Sequence, residues 1–344
     1  MRSTSTIEQF RHDLVSWFER EGKSYPWRDT TDPWYILVSE IMLQQTTIPT
    51  VLGRYSAWMA QFPTPAHLAK VSEEEALRSW EGLGYYRRVR SLQAIAKAVM
   101  ERHGGIFPED KAHLLALPGI GDYTAGALLS FAFNRPAPIV DANVERVITR
   151  LDEYRENVDK GPGRKYLWAR AEELVDPEHA RSFNSAIMEL GQRFCKSTSP
   201  ECLLCPVRAH CQCPDPESLP VKTPKVSVTK ETHHDIFVIQ KGALLLVKQQ
   251  EGQRHEGMYR FPQRSENEVK QGERIARQTY SVTRYKITRY LHHLDSALDA
   301  AQARNGEQFV SLSQLDSLPM ASPDRKILKN LAVQKLIHQG KSAC

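Results

Sequence analysis

Apolar residues recur along the first two hundred positions at intervals of three and four, the period of helices that bury one face. Ile7, Phe10, Leu14 and Trp17/Phe18 form such a stripe in the opening twenty residues, and charges interrupt every apolar run there. The pattern predicts a core-facing helix, not a cleaved export signal. Asp32-Pro33 predicts a second helix start, an aspartate cap followed by proline at the first helical position, where a missing N–H removes no hydrogen bond. Ser72-Glu73-Glu74-Glu75 reads as a capping box, and Gly82-Leu83-Gly84 as the end of the helix it opens. Further amphipathic stretches run from about Tyr86 to His103, Lys111 to Leu117, Asp122 to Phe133, Asn143 to Asp152, Arg164 to Val175 and Glu178 to Cys195. Strand-like alternation is absent, so residues 1–212 are expected to form an all-α domain.

The pattern then changes. Residues 213–230, CPDPESLPVKTPKVSVTK, carry four prolines and few large apolar side chains, the composition of an extended linker. From residue 231 short alternating runs replace the helical period. Asp235 to Val247 reads as a hairpin turning at Lys241-Gly242, with more strands near Tyr259–Phe261, Ile287–His293 and Phe309–Leu312 and a terminal helix near Arg325–His338. Residues 231–344 are therefore expected to be a small α+β domain. A chain of 344 residues exceeds what one core usually organises, which agrees with two domains.

Composition adds less. The hydrophobic fraction of 41% and charged fraction of 25% are those of a globular protein. No apolar run is long enough to span a bilayer, so a soluble protein of the cytoplasm with no membrane partner is the expectation. The formal charge of +5 hints at nucleic acid, but the excess lies in the last third, where 17 Lys+Arg face 12 Asp+Glu from Glu231 onward. Residues 1–230 are balanced, so DNA binding must rest on local motifs.

Five of the six cysteines fall between positions 195 and 213, and Cys195, Cys202, Cys205 and Cys211 have the spacing C-x6-C-x2-C-x5-C. Without an export signal, disulfides are disfavoured. A four-thiolate metal site fits, and spacing alone leaves structural zinc and a [4Fe–4S] cluster both open. Cys213 and Cys344 lie outside the pattern and read as ordinary thiols.

Leu117-Pro-Gly-Ile-Gly121 sits between two helical stretches. Gly119 and Gly121 would let the chain turn tightly and bring backbone N–H groups to a phosphate at a helix N-terminus, although a plain αα-turn has the same composition. Two carboxylates stand out. Glu40 interrupts the apolar run Ile36 to Leu43; buried there, its pKa would rise towards that of a general acid, whereas on the solvent side it would do nothing. Asp141 precedes a helix, where it is a natural N-cap, and helix N–H groups would keep it ionised beside a developing cation. Glycoside cleavage needs such a pair.

Taken together, these residues resemble the helix-hairpin-helix glycosylase superfamily, most closely its adenine DNA glycosylase branch. The resemblance rests on Tyr25-Pro-Trp-Arg28, Ser39-Glu-Ile-Met-Leu-Gln-Gln-Thr46, Gly82-Leu-Gly-Tyr-Tyr-Arg87, the LPGIG hairpin, Val140-Asp-Ala-Asn143, Asn184-Ser-Ala-Ile-Met-Glu-Leu-Gly191 and the cysteine loop, in this order. It implies a [4Fe–4S] cluster on the four cysteines, and double-stranded DNA with adenine opposite 8-oxoguanine or guanine as the substrate of a monomeric, bacterial, nucleoid-associated enzyme. By match to the motifs, Glu40 would protonate adenine N7 and later activate water, and Asp141 would stabilise or covalently trap the sugar cation, with Asn143 orienting it. Trp27, Arg28, Leu43 and Glu189 would line the base pocket, while Gln45 and Tyr85 would wedge into the base stack. The related endonuclease III glycosylases carry a Schiff-base lysine where Tyr123 stands; a tyrosine forms no imine, so base removal without a strong lyase step is expected.

The C-terminal domain resembles the Nudix-like module of this branch, with Glu256-Gly-Met-Tyr-Arg-Phe-Pro-Gln263 as the best match and no clustered glutamates after it, so it should bind rather than hydrolyse. Where the branch often has Phe-Ser-His against 8-oxoguanine, this chain has Ile287-Thr288-Arg289, leaving Thr288 as the matching hydroxyl. Two rival readings are an endonuclease III-like enzyme acting on oxidised pyrimidines and a non-catalytic DNA-binding protein.

Overall fold

The computed structural model describes residues 4–224 and 227–342; Cys344 lies outside the described residues, and Cys213 is buried. Contacts divide the chain into two compact units, Met1–Lys70 with Ser91–Pro224, and Val71–Arg90 with Lys225–Cys344. The helices run α1 (Thr4–Glu21), α2 (Pro33–Leu43), α3 (Ile48–Gln61), α4 (Pro65–Lys70), α5 (Glu73–Ser79), α6 (Arg87–His103), α7 (Lys111–Leu115), α8 (Asp122–Phe131), α9 (Ala142–Leu151), α10 (Gly161–Leu174) and α11 (Ala180–Arg193). No strand interrupts them among the described residues.

The expected caps form. Asp32 accepts from the Trp34 N–H at 2.8 Å, Ser72 from Glu75 at 3.2 Å, and Asp141 from Val144 at 2.7 Å, each satisfying a donor that the helix start would leave orphaned. In the first unit α1, α9 and α11 pack around Phe10, Leu14, Trp17, Val147, Ile148, Phe183 and Leu190, all buried. The stripe read from the opening residues is thus the inner face of α1. At Gly191 the helices α11 and α9 nearly touch: an added Cβ would lie 2.7 Å from the Asn143 Cβ, so a larger residue would push them apart.

Residues 213–224 are held against the first unit rather than hanging free. Val158 donates to the Val221 carbonyl at 3.0 Å, and Arg150 to that of Leu219 at 3.2 Å.

In the second unit β1 (Thr229–Phe237), β2 (Ile239–Gln240), β3 (Ala243–Lys248), β4 (Tyr259–Arg260), β5 (Gln263–Arg264), β6 (Glu273–Val282), β7 (Tyr285–His293) and β8 (Glu307–Ser311) precede α12 (Ser322–Leu328) and α13 (Leu331–Ser342). One sheet has the order β5-β1-β7-β6 with β1 parallel to β7; the other pairs β3 with β2, β4 and β8. Three expectations are corrected here. The hairpin at Lys241-Gly242 spans only β2 and β3, because Asp235 to Phe237 pair instead with β7. Residues 273–282, for which the pattern predicts no strand, form β6, whose period is broken by a bulge between Arg274 and Ala276. The terminal helix is two, divided where the Asn330 side chain accepts from the Ala332 N–H at 2.9 Å.

Candidate active site

Glu40 sits two turns into α2, whose first residues are fixed by the Asp32 cap. Because that helix is apolar on nearly every side, no turn of it offers Glu40 to water, and the side chain is 6% exposed. It faces a cleft of about 540 Å³ lined by Trp27, Arg28, Leu43, Gln45, Tyr123, Asp141 and Asn143 as well. The Tyr123 hydroxyl, carried in by α8, donates to Glu40 Oε2 at 2.8 Å. Burial pushes the Glu40 carboxyl up to about 7, against the Tyr123 hydrogen bond and with a further push from the charge of Asp141. The solvent-facing alternative for Glu40 is excluded.

Asp141 caps α9 as expected, and Asn143 donates to its Oδ2 at 2.8 Å. Its pKa nevertheless lies above the ordinary aspartate value: burial outweighs the Val144 and Asn143 N–H groups that favour the charge. The two carboxyls share one cleft but not one environment. Asp141 is held by hydrogen-bond donors from the helix start, whereas Glu40 receives one hydroxyl and is the more readily protonated of the two.

Around the mouth, Trp27 stacks on Tyr25 at 5.1 Å and meets Tyr55 edge-on at 5.4 Å. Arg28 pairs with Glu189 and donates to the Lys23 carbonyl at 2.8 Å. Glu189 itself, buried on α11, opens onto a smaller adjoining cleft with Lys23 and Arg193, so it reaches the main cleft through Arg28. Gln45, just past the end of α2, has φ of 56°, a left-handed conformation that costs about 1 kcal/mol for a residue with a Cβ.

Several cleft residues escaped the sequence reading. Arg181, Ser185, Met188 and Gln192 form one face of α11 at helical spacing and line the cleft. That periodicity was visible, but which face met the cleft was not. Arg146 was also missed: it donates to Asn143 Oδ1 at 2.9 Å, to the Gly191 carbonyl at 2.6 Å and to the Cys195 carbonyl at 2.6 Å, joining the Asp141 helix to the cysteine loop.

In that loop, Arg150 is buried and donates to Cys195 Sγ at 3.4 Å and to the Lys196 carbonyl at 2.7 Å. Cys205 is pushed up to about 11, first by burial and then by the charges of Cys195, Cys211 and Cys202, so its sulfur lies within electrostatic reach of the other three. His210 pins the loop to α1 through Asp13 at 2.8 Å. The Leu117 to Gly121 turn lies between α7 and α8 as predicted. Gly119 has φ of 82°, which a Cβ would strain, whereas Gly121 is the extended N-cap of α8.

Tyr85 and Thr288 belong to the second unit. Tyr85 is 48% exposed with φ of 47°. Residues 287–289 form the middle of β7, not a loop: Ile287 and Arg289 are buried inside the unit and Thr288 lies on the other face, 3.4 Å from the Thr279 hydroxyl. Arg289, standing where the family often has a histidine, is thus sealed in the interior between Asp235 (2.7 Å) and Asp324 (2.9 Å).

A helical unit with a glycine hairpin, and a buried acid and a capping aspartate on one cleft, is the architecture of base-excision proteins. Residues 38–175 match the model of the HhH-GPD superfamily base excision DNA repair protein. The fold resembles a thermostable thymine-DNA glycosylase (TM-score 0.56, 29% identity, covering 60% of this chain and 96% of that one). It also resembles endonuclease III in a non-covalent DNA complex (TM-score 0.53, 25% identity, 63% and 97%). Among curated relatives, adenine DNA glycosylase of Mycolicibacterium smegmatis is 39% identical over 201 residues, 58% of this chain and 68% of that protein. The human adenine DNA glycosylase is 40% identical over 220 residues, 61% of this chain. The chain belongs to the adenine DNA glycosylase family. It spans only 40% of the human relative's length and 42% of the rat relative's. No helix of the described residues is long and apolar enough to cross a membrane.

Proposed function

We propose that this protein is a monofunctional adenine DNA glycosylase of base excision repair, acting as a monomer on duplex DNA with adenine opposite 8-oxoguanine or guanine. The observation that carries the reading is Glu40: a buried carboxyl held near pH 7, on one cleft with a capping aspartate and with no lysine at Tyr123. With adenine flipped into the cleft at an unstacking cost of a few kcal/mol, Glu40 gives its proton to N7 and the C1′–N9 bond breaks with its electrons leaving on adenine. Asp141, steadied by Asn143, faces the oxocarbenium ion. Water adds to C1′ and returns a proton to Glu40, leaving an abasic site. Tyr123, bound to Glu40 through its hydroxyl, offers no amine for strand cleavage. The α+β unit is read as Nudix-like, with Thr288 contacting the base opposite adenine.

The cysteines suit a [4Fe–4S] cluster. Cys205 feels the other three thiols, and Cys195 lies beside Arg146 and Arg150, which would offset the charge of the thiolates. Cys195, Cys202, Cys205 and Cys211 would hold it, and its contribution would be to rigidify the loop.

One assay tests the reaction: duplexes with adenine opposite 8-oxoguanine, adenine opposite guanine, and thymine glycol, scored with and without alkali. Breaks only after alkali, and only on the adenine strand, are expected. Intact strands from both adenine duplexes would sink the reading, and nicks at thymine glycol without alkali would favour the endonuclease III-like rival. Absorbance near about 400 nm that disappears in Cys202→Ser would support the cluster, and a colourless protein would rule it out.

A further inference from the structure

The segment that carries Tyr85 is fastened to the C-terminal residues at defined points. Arg325 on α12 donates Nε to both oxygens of Glu81, at 3.0 and 3.2 Å, while its other nitrogens donate to the Leu315 (2.8 Å) and Leu318 (2.7 Å) carbonyls. The Tyr86 hydroxyl reaches the Met320 carbonyl at 3.5 Å, just before α12. Between these two anchors the chain makes the Gly82 to Tyr85 turn, which is braced from within: Arg88 Nη2 donates to the Leu83 (2.8 Å) and Gly84 (3.0 Å) carbonyls, and Trp80 Nε1 to Gly84 at 3.0 Å. Tyr85, left-handed and exposed, is therefore projected by a rigid support rather than by a loose loop.

The residue before Arg325 grips a different element. Asp324 holds Arg289 at 2.9 Å, and Arg289 is the neighbour of Thr288 on β7, held from the other side by Asp235 at 2.7 Å. Both ends of this arrangement are buried or nearly so: Arg289 and Asp324 side chains are 1% and 7% exposed, Arg325 and Glu81 12% and 22%. Adjacent residues of one short helix thus bind the strand of Thr288 and the root of the Tyr85 turn.

We propose that α12 is a strut that fixes the Thr288 strand and the Tyr85 turn at one spacing, with Arg289–Asp324 and Arg325–Glu81 as its two joints. The idea rests on the proposed function, in which Thr288 reads the base opposite adenine, and on the family resemblance, by which Tyr85 would wedge beside it. The strut makes the two contacts simultaneous, so that meeting the partner base with Thr288 places Tyr85 in the stack. Arg325 and Glu81 are positioning residues; neither touches the reacting atoms.

The test is a cycle of Glu81→Gln, Arg325→Met and the double variant in the full chain, with two readouts. One is the ratio of single-turnover adenine release opposite 8-oxoguanine to that opposite guanine; the other is the melting temperature. Each single variant is expected to lower the ratio about fivefold, with release opposite guanine within about twofold of the unmodified protein. The double variant should lose no more than the worse single one, because both break the same joint. An unchanged ratio in both singles, an additive loss in the double, or equal losses on both duplexes in step with a lower melting temperature would each overturn the strut. Unmodified protein that releases adenine equally well from both duplexes overturns the strut alone. Unmodified protein that releases none overturns the proposed function and the strut with it.

Discussion

Two buried acids, Glu40 in the helical unit and Asp235 in the α+β unit, meet the same physical problem with different partners. Each is sealed from water, where a lone carboxylate costs several kcal/mol. Asp235 has Arg289 at 2.7 Å and Arg260 at 3.3 Å, and the two carboxylates beside Arg289 hold its guanidinium firmly charged. Burial raises the Asp235 carboxyl too, against the charges of Arg289 and Arg260, but those cations balance it inside the unit and the result is a structural joint. Glu40 has no such partner in contact; it has the Tyr123 hydroxyl, and Arg28 acts on it only through space. The uncompensated charge is relieved by taking up a proton near pH 7, and the result is an acid poised for use. Burial alone therefore does not make a carboxyl reactive. Withholding the counter-charge does.

The contrast can be broken first at Glu40. Glu40→Gln removes the proton donor and is expected to lower single-turnover adenine release about a thousandfold, measured on the adenine strand after alkali. A loss below tenfold would mean that the buried acid is not the one that matters. Second, Arg289→Met leaves Asp235 and Asp324 facing each other without their shared cation and should destabilise the second unit by about 3 to 5 kcal/mol, read from urea unfolding.

Third, the same Glu40→Gln change should stabilise the protein while disabling it. The Glu40 pKa is raised in the folded state, so the fold binds a proton that the unfolded chain releases from about pH 4.5 upward. Stability from this group is present below that pH and is lost as pH rises to about 7. At pH 8 the buried charge then costs on the order of 3 kcal/mol, which glutamine does not carry. A higher midpoint for Glu40→Gln at pH 8 but not at pH 4.5 is expected, and identical curves at both would show that Glu40 is not desolvated. Fourth, and smallest, the rate of adenine release should fall as pH rises past about 7. Because the Tyr123 hydrogen bond lowers the Glu40 pKa, Tyr123→Phe should move that fall to higher pH. Movement in the other direction would refute the assigned hydrogen bond.

Much of the cleft was legible because its residues obey local rules. The Asp32 cap, the apolar period of α2 and the Asp141 cap each depend on chemistry within a few residues, so Glu40 and Asp141 could be named before any fold was known. The second unit was less legible for the same reason inverted. β6 is hidden because a bulge between Arg274 and Ala276 breaks its period and polar Gln278 takes one of its inward positions, and Asp235 to Phe237 pair with a strand 56 residues away rather than with their neighbours.

The sequence by itself determined the order of helices, the hairpin, the four-cysteine spacing and the absence of a lysine at Tyr123, since these are properties of residue type and short separations. Only the tertiary structure decided that Glu40 is buried at a cleft rather than turned to bulk water, that Arg289 is locked between two aspartates, and that Val71–Arg90 join the C-terminal residues. Those outcomes depend on which distant side chain supplies, or fails to supply, a partner for a buried charge. No local pattern encodes that choice, because its energy arises only when folding has removed the water.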